Sequence, residues 1–183
     1  MVNRTGTYFA FDGLGEKNPS LSDFKYYATV QSWAANENID FNVTNSHDKA
    51  AAVRDTSQLK TLKDSIRKRL KASKNMVIIL SDDTRKSGSL LSYEIEQAVD
   101  WYEIPLIIAH TGCDSILKPT SLKRRWPNAL TLRIENKTAK AIHIPFKQSA
   151  ILDAIKQFTV NSNNLSAPLH YYDSNTHKKW GYI

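Results

Sequence analysis

Apolar residues along the chain follow two spacings, and their succession predicts the order of the elements. Short runs that are continuously apolar or alternate with polar residues are typical of β-strands. These runs are 7–11, 39–43, 76–80, 105–109 and 141–144. Between them lie segments with apolar residues three and four positions apart, which is typical of one helix face. These segments are 22–37, 57–71, 90–102 and 146–158.

This alternation of strands and helices predicts an α/β fold. Right-handed crossovers between successive strands place the helices on both faces of a parallel sheet. We therefore predict a flavodoxin-like, doubly wound, five-stranded parallel sheet in a three-layer α/β/α arrangement. The run at 76–80 is continuously apolar, as expected of a central strand. We expect the first and third strands near the middle of the sheet.

The remaining segments are less regular. Residues 111–128 predict a loop with a short basic helix around Leu122, and the alternation at 130–134 predicts a small additional strand. We expect residues 1–160 to form the domain. Residues 161–183 are rich in Asn and Ser but carry aromatic side chains, so we expect an extension that packs on the domain or trails from it.

Composition restricts the class of protein. Of the 183 residues, 41% are hydrophobic and 23% charged, as in globular proteins. No apolar run approaches the roughly 18 residues that a membrane span needs, and the first residues lack the apolar segment of a signal peptide. Cys113 is the single cysteine, which excludes an intramolecular disulfide and suits a reducing compartment. We expect a cytoplasmic protein without a membrane partner.

The net charge of +7 would suit a phosphate-bearing small molecule or a nucleic acid. No aromatic interleaving or zinc-finger spacing supports nucleic-acid recognition, so that class of partner is disfavoured. The five histidines show no metal-ligand spacing, and we predict no metal site. The glycines lack the spacing of a phosphate-binding loop, which disfavours a Rossmann dehydrogenase or a nucleotide kinase.

Polar side chains follow the first and third predicted strands. Asp12 follows the first strand, and Ser81 and Asp83 follow the third. Glu94 lies near the start of the next helix, which begins at the same edge of the sheet. Open α/β folds bind ligands at the carboxyl ends of their strands, so these residues form the candidate site. A helix-start carboxylate stabilised by the helix dipole is the alternative interpretation of Glu94.

The aspartates allow a second hypothesis. Asp12, Asp82 and Asp83, with Lys147 after the fifth strand, resemble the phosphoacceptor layout of response-regulator receivers, for which magnesium would be the cation. The match is loose, because Gly13 follows Asp12 where receivers usually carry a second acid. Turn formation explains the aspartates equally well.

Several segments together resemble the TIR-like family of Thoeris anti-phage defence systems, the family of ThsB. The resemblance covers roughly residues 5–158 and rests on the order of the motifs. They are Tyr-Phe-Ala-Phe-Asp at 8–12, the amphipathic helix at 57–75, Val-Ile-Ile-Leu-Ser at 77–81, Ser-Tyr-Glu-Ile-Glu-Gln-Ala at 92–98 and Ile-His-Ile-Pro-Phe-Lys at 142–147.

The resemblance implies roles for particular residues. The family's catalytic glutamate corresponds to Glu94. Phe11 would line the base or ribose pocket, Asp12 would accept a hydrogen bond from a hydroxyl, and His47 lies in a polar loop that would close over the ligand or join a neighbouring subunit. TIR enzymes often carry a tryptophan four residues before the glutamate, whereas this chain has Leu90.

The activity that the resemblance implies is cleavage of the nicotinamide–ribose bond of NAD⁺, which is the substrate and not a cofactor. A carboxylate near ribose C1′ stabilises the oxocarbenium-like transition state. The family analogy favours a cyclic ADP-ribose isomer as the product, acting as a signal to a partner effector, and allows a homo-oligomer that completes the site. A non-catalytic TIR adaptor is the alternative.

Overall fold

A computed structural model of the chain describes residues 4–14, 22–35, 43–44, 56–162 and 164–183. Within these ranges a parallel sheet is flanked by helices on both faces. The strands are β1 (Gly6–Ala10), β2 (Val43–Thr44), β3 (Ser73–Leu80), β4 (Leu106–His110), β5 (Ala141–Pro145) and β6 (His170–Tyr171). The α-helices are α1 (Phe24–Ala34), α2 (Thr56–Lys71), α3 (Leu90–Glu96), α4 (Asn128–Glu135), α5 (Gln148–Gln157) and α6 (Ser174–Lys179).

The strand order is β2-β1-β3-β4-β5-β6, and every neighbouring pair is parallel. This confirms the predicted flavodoxin-like α/β/α fold with β1 and β3 near the middle. Of the second predicted strand, 39–43, the structure describes only residue 43, which forms β2 together with residue 44. The C-terminal segment adds β6 beside β5, a strand that the sequence pattern does not predict. The order reverses between β1 and β3, so the topological switch point lies between their carboxyl ends.

The two faces of the sheet bury separate cores because successive strand residues point to opposite sides. We call them the α2/α3 face and the α1/α5 face. The α2/α3 face includes Tyr8, Ile78 and Ile95. The α1/α5 face includes Phe9 and Val77, the immediate neighbours of two of those residues.

The prediction of a strand at 130–134 is wrong, because these residues belong to α4. Leu130 and Ile134 are buried while Leu132, between them in the predicted alternation, is 53% exposed. Positions four residues apart share a face in a helix as they do in a strand. The side chain of Arg133 pairs with Asp100, which joins α4 to the end of the predicted helix at 90–102. The predicted helix at 90–102 is α3 followed by a π-helical turn, Gln97–Trp101. A 3₁₀-helix, Pro119–Arg125, is the predicted basic helix.

Two polar contacts hold the C-terminal half together. In β3 the buried Asn75 donates hydrogen bonds from Nδ2 to the carbonyls of Ile155 (3.0 Å) and Phe158 (2.8 Å) at the end of α5. His177 of α6 is also buried and accepts a hydrogen bond from the backbone amide of Ile116, in the loop after β4, at 3.4 Å. The segment after α5 therefore contacts the body of the domain, while the predicted boundary at residue 160 stays a prediction. Among the described residues, no helix is both long and apolar enough to cross a bilayer.

Candidate functional site

Asp12 lies at the switch point, and its carboxylate binds the loop after β3. Arg85 donates to Asp12 from its backbone amide (2.9 Å), from Nε (3.0 Å to Oδ2) and from Nη2 (2.6 Å to Oδ1). The amide of Leu14 donates to Oδ1 at 2.9 Å. Burial alone would raise the pKa of Asp12, but these hydrogen bonds and the guanidinium charge outweigh it and lower the pKa. Asp12 is fully buried, and both of its oxygens accept protein donors.

Asp23, the residue before α1, is a second buried carboxylate at this edge. Its side chain makes no capping hydrogen bond to α1 and instead accepts one from the Thr84 hydroxyl, at 3.3 Å. Burial, together with the nearby charges of Asp12 and Asp83, raises the pKa of Asp23 to about 6. The hydrogen bonds from Ser81 and Thr84 act in the opposite direction and lower this pKa. Its partners are about sixty residues away in sequence, so no local pattern could have revealed this role.

Ser81 and Asp83 shape the turn that follows β3. The amide of Ser81 donates to the Thr84 hydroxyl at 2.9 Å, and the amide of Asp83 donates to the Ser81 hydroxyl at 3.2 Å. Ser81 is buried and Asp83 is exposed. Asp12, Ser81 and Asp83 thus lie around Asp23 at the switch point, and their role in binding a substrate stays a prediction.

Phe11 lies on the α1/α5 face and packs into its core. Its ring stacks on Tyr27 at 5.3 Å between centroids and meets Phe24 edge-on at 5.9 Å. Phe11 is 4% exposed. In this arrangement Phe11 contributes to the packing of α1 on the sheet and not to the group around Asp12.

Glu94 lies on the opposite face of the sheet from Phe11, where α3 covers β1. Leu91, three residues before it, and Ala98, four residues after it, share its side of the helix, and both are buried. Glu94 is itself fully buried, and the hydroxyl of Tyr8 donates a hydrogen bond to its Oε1. The helix thus directs a carboxylate toward the core of the α2/α3 face.

Tyr8 is a direct partner of Glu94 that sequence reasoning missed. Burial, followed by the charge of Glu94 and the hydrogen bond to it, raises the pKa of the Tyr8 phenol well above its usual value. The charge of Arg69 acts in the opposite direction. The phenol therefore keeps its proton at physiological pH and remains a donor to the carboxylate. Alternation in β1 places Tyr8 on the α2/α3 face, but the pairing with Glu94 spans 86 residues of sequence.

Two further predictions concern the surroundings of Glu94. Leu90, in the place of the usual tryptophan, is partly buried and packs against the core of the α2/α3 face. His47 and the polar loop at 45–48 lie outside the described residues. The structure therefore places the candidates in three locations: the group around Asp12 at the switch point, Phe11 in one core, and Glu94 with Tyr8 in the other.

Two buried histidines, His110 of β4 and His143 of β5, form a hydrogen bond with each other. His143 of β5 is fully buried, and its Nε2 lies 3.1 Å from the Pro168 carbonyl. A carbonyl only accepts, so Nε2 carries the proton and Nδ1 accepts from Nε2–H of His110, at 3.2 Å. Burial lowers the pKa of both rings. His110 thus points into the core, not toward the ligand-binding edge.

The acidic residues of the receiver hypothesis separate into different ion pairs. Asp12 binds Arg85, while Asp82 binds Arg124 (3.0 Å) and Arg125 (2.8 Å). Lys147 binds Asp114 at 2.9 Å. No group of three or more metal-ligating side chains suited to a metal ion occurs within the described ranges. This geometry gives no support to a receiver-like magnesium site.

Comparison with known families assigns the chain. A family model described as "Thoeris protein ThsB, TIR-like domain" matches residues 8–114, which is more than half of the chain. The chain belongs to the ThsB TIR-like domain family. The match runs from β1 to the loop after β4 and includes both Tyr8 and Glu94. Membership supports a role in Thoeris defence, and it confirms the family resemblance found in the sequence.

Proposed function

We propose that this ThsB-type domain cleaves the nicotinamide–ribose bond of NAD⁺ and that Glu94 provides the charge that stabilises the transition state. The observation that carries the proposal is a carboxylate, fully buried between α3 and the sheet, within the range that matches the ThsB family. A fixed charge acts more strongly in a water-poor environment than in solution, because the effective dielectric is lower.

The reaction needs little from the protein beyond this charge. The bond between ribose C1′ and the nicotinamide nitrogen breaks, and its electron pair leaves with nicotinamide, which departs neutral. Positive charge develops on C1′ and the ring oxygen, where an ionised carboxylate stabilises it as in glycosidases. The same carboxylate accepts a hydrogen bond from a ribose hydroxyl.

The second step decides the product. If water attacks C1′, it loses a proton and the product is ADP-ribose. If a hydroxyl or adenine nitrogen of the same molecule attacks, the product is a cyclic ADP-ribose isomer. Exclusion of water from the site favours the cyclic product. We favour cyclisation, with the cyclic isomer acting as a diffusible signal to a partner effector and a homo-oligomer completing the site.

The direct test compares wild type with Glu94→Gln. The substitution keeps the size of the side chain and one acceptor oxygen but removes its charge. NAD⁺ consumption and products are measured by mass spectrometry on purified protein with and without lysate from phage-infected cells. Glu96→Gln is the matched control, because Glu96 is partly exposed on the same helix. We expect loss of at least about a hundredfold in turnover for Glu94→Gln and little change for Glu96→Gln, from the usual effect of removing an electrostatic stabiliser.

The burial of Glu94 also favours a second candidate function, a non-catalytic TIR module in which the carboxylate is structural. In that case neither wild type nor either variant would convert NAD⁺ under any of these conditions. Self-association, measured by sedimentation, would then be the activity to examine, and we expect Glu94→Gln to leave it unchanged.

A further inference from the structure

Glu94 and Tyr8 are both fully buried, and the Tyr8 hydroxyl donates to Glu94 Oε1. Under the proposed function, on which this inference rests, a ribose hydroxyl must donate to the same carboxylate and C1′ must come close to it. A side chain with no exposed surface cannot contact a substrate. The arrangement described here is therefore a resting state, and some contact of Glu94 must open before the reaction.

We propose that Tyr8 is a residue of the site, whose hydroxyl occupies on Glu94 the place of a ribose hydroxyl and must be displaced by the substrate. The two hydroxyls have the same chemistry, since each is a neutral O–H donor to a carboxylate oxygen. Tyr8 comes from β1 and Glu94 from α3, so breaking this hydrogen bond loosens the helix from the sheet at the point where the carboxylate lies.

Because the Tyr8 phenol stays protonated, its hydroxyl remains bound to Glu94. Because burial and the charge of Glu94 raise the pKa of Tyr8, the hydroxyl does not ionise and release the carboxylate at physiological pH. Displacement therefore needs a competing donor. We call the state with the Tyr8–Glu94 hydrogen bond closed and the state without it open. A hydrogen bond to a charged acceptor usually shifts an equilibrium by about tenfold to a hundredfold, so the Tyr8 hydroxyl favours the closed state by that factor.

Removal of the hydroxyl should expose the carboxylate. Tyr8→Phe keeps the ring that packs in the core and removes only the donor. In the closed state the buried carboxylate would then lack the Tyr8 donor, whereas in the open state water would solvate it. Both effects favour opening. Tyr27→Phe is the matched control, because Tyr27 is equally buried but lies on the α1/α5 face.

The first measurement does not depend on NAD⁺. A water-soluble carbodiimide with an amine labels exposed carboxyl groups, and peptide mass spectrometry gives the rate at Glu94. We expect the rate to rise about tenfold to a hundredfold in Tyr8→Phe, from the contribution of a charged hydrogen bond, and to stay unchanged in Tyr27→Phe. An unchanged labelling rate in folded Tyr8→Phe overturns the inference. Tyr8→Met, with an adaptable apolar side chain, replaces Tyr8→Phe if the latter folds poorly.

The second measurement is basal NAD⁺ turnover, which should rise in Tyr8→Phe by a similar factor. A fall in turnover, with Glu94 labelled faster, would overturn the inference, because Tyr8 would then be holding Glu94 in its active position. If neither wild type nor Tyr8→Phe converts NAD⁺ although labelling rises, the proposed function fails while the displaceable contact remains established. The two failures are therefore distinguishable.

Discussion

The ion pair between Asp12 and Arg85 joins β1 to the loop that leads into α3, and its removal should destabilise the domain. Arg85→Gln removes the side-chain donors to Asp12 but leaves the two backbone donors, the amides of Arg85 and Leu14. Asp12 remains fully buried. The substitution therefore leaves a desolvated carboxylate with only part of its hydrogen bonds.

The expected loss in the free energy of unfolding depends on how deeply each partner of the ion pair is buried. Removing one partner of a fully buried ion pair costs about 3–5 kcal/mol. Here the side chain of Arg85 is 39% exposed, so solvent screens part of the interaction, and the backbone donors still support Asp12. We expect Arg85→Gln to lower the free energy of unfolding by about 2–3 kcal/mol at pH 7.

The pH dependence provides a second signature. The pKa of Asp12 is lower in the folded state than its ordinary value of 3.8, so the unfolded chain binds a proton more readily. The stabilisation is therefore present above about pH 4 and is lost as the pH falls through the lowered folded pKa. The difference between wild type and Arg85→Gln should shrink as the pH is lowered below 4.

Urea unfolding followed by circular dichroism measures both quantities. Arg124→Gln is the control, because Arg124 and Asp82 form an ion pair whose side chains are 74% and 59% exposed. We expect that variant to lose less than about 1 kcal/mol. The double variant Asp12→Asn/Arg85→Gln, which replaces the charges with amides, should recover part of the loss. Equal losses for Arg85→Gln and Arg124→Gln would refute the role assigned to the buried pair.

Two further predictions concern the core. Burial lowers the pKa of His143 to about 4. Between about pH 6.5 and 4 the unfolded chain therefore binds a proton that the folded chain does not. The free energy of unfolding should decrease by up to about 3 kcal/mol as the pH is lowered through that window. His143→Gln should flatten this part of a urea-midpoint profile, and an unchanged slope would contradict the assignment. Asn75→Ala leaves the carbonyls of Ile155 and Phe158 without its side-chain donor. It should cost about 2–4 kcal/mol in urea unfolding, and a loss below about 0.5 kcal/mol would contradict the role given to Asn75 in holding α5.

The strands β1, β3, β4 and β5 were predictable because their patterns are local. The continuous apolar run of β3 is typical of a strand that is covered on both faces, and its central place in the sheet follows from that. The segment at 130–134 was not predictable in the same way. Leu130 and Ile134 satisfy both the strand and the helix spacing. The helix that the structure shows carries a contact between residues distant in sequence, the pairing of Arg133 with Asp100.

The candidate site was predictable only as far as topology determines it. Asp12, Ser81 and Asp83 follow neighbouring strands, so they meet at one edge. The contacts that define the chemistry are pairings between distant residues, such as Tyr8 with Glu94 and Asp23 with Thr84. A sequence pattern indicates which face a residue takes, but not which donor on a distant segment meets it.

The central claim is that this ThsB-type domain converts NAD⁺ through the charge of Glu94. Its most direct test is mass spectrometry of nucleotides from phage-infected cells that express wild type or Glu94→Gln at equal levels. The account predicts an ADP-ribose isomer derived from NAD⁺ in infected wild-type cells and its absence in the Glu94→Gln cells. The same NAD⁺-derived nucleotides in both, with both proteins folded, would contradict it.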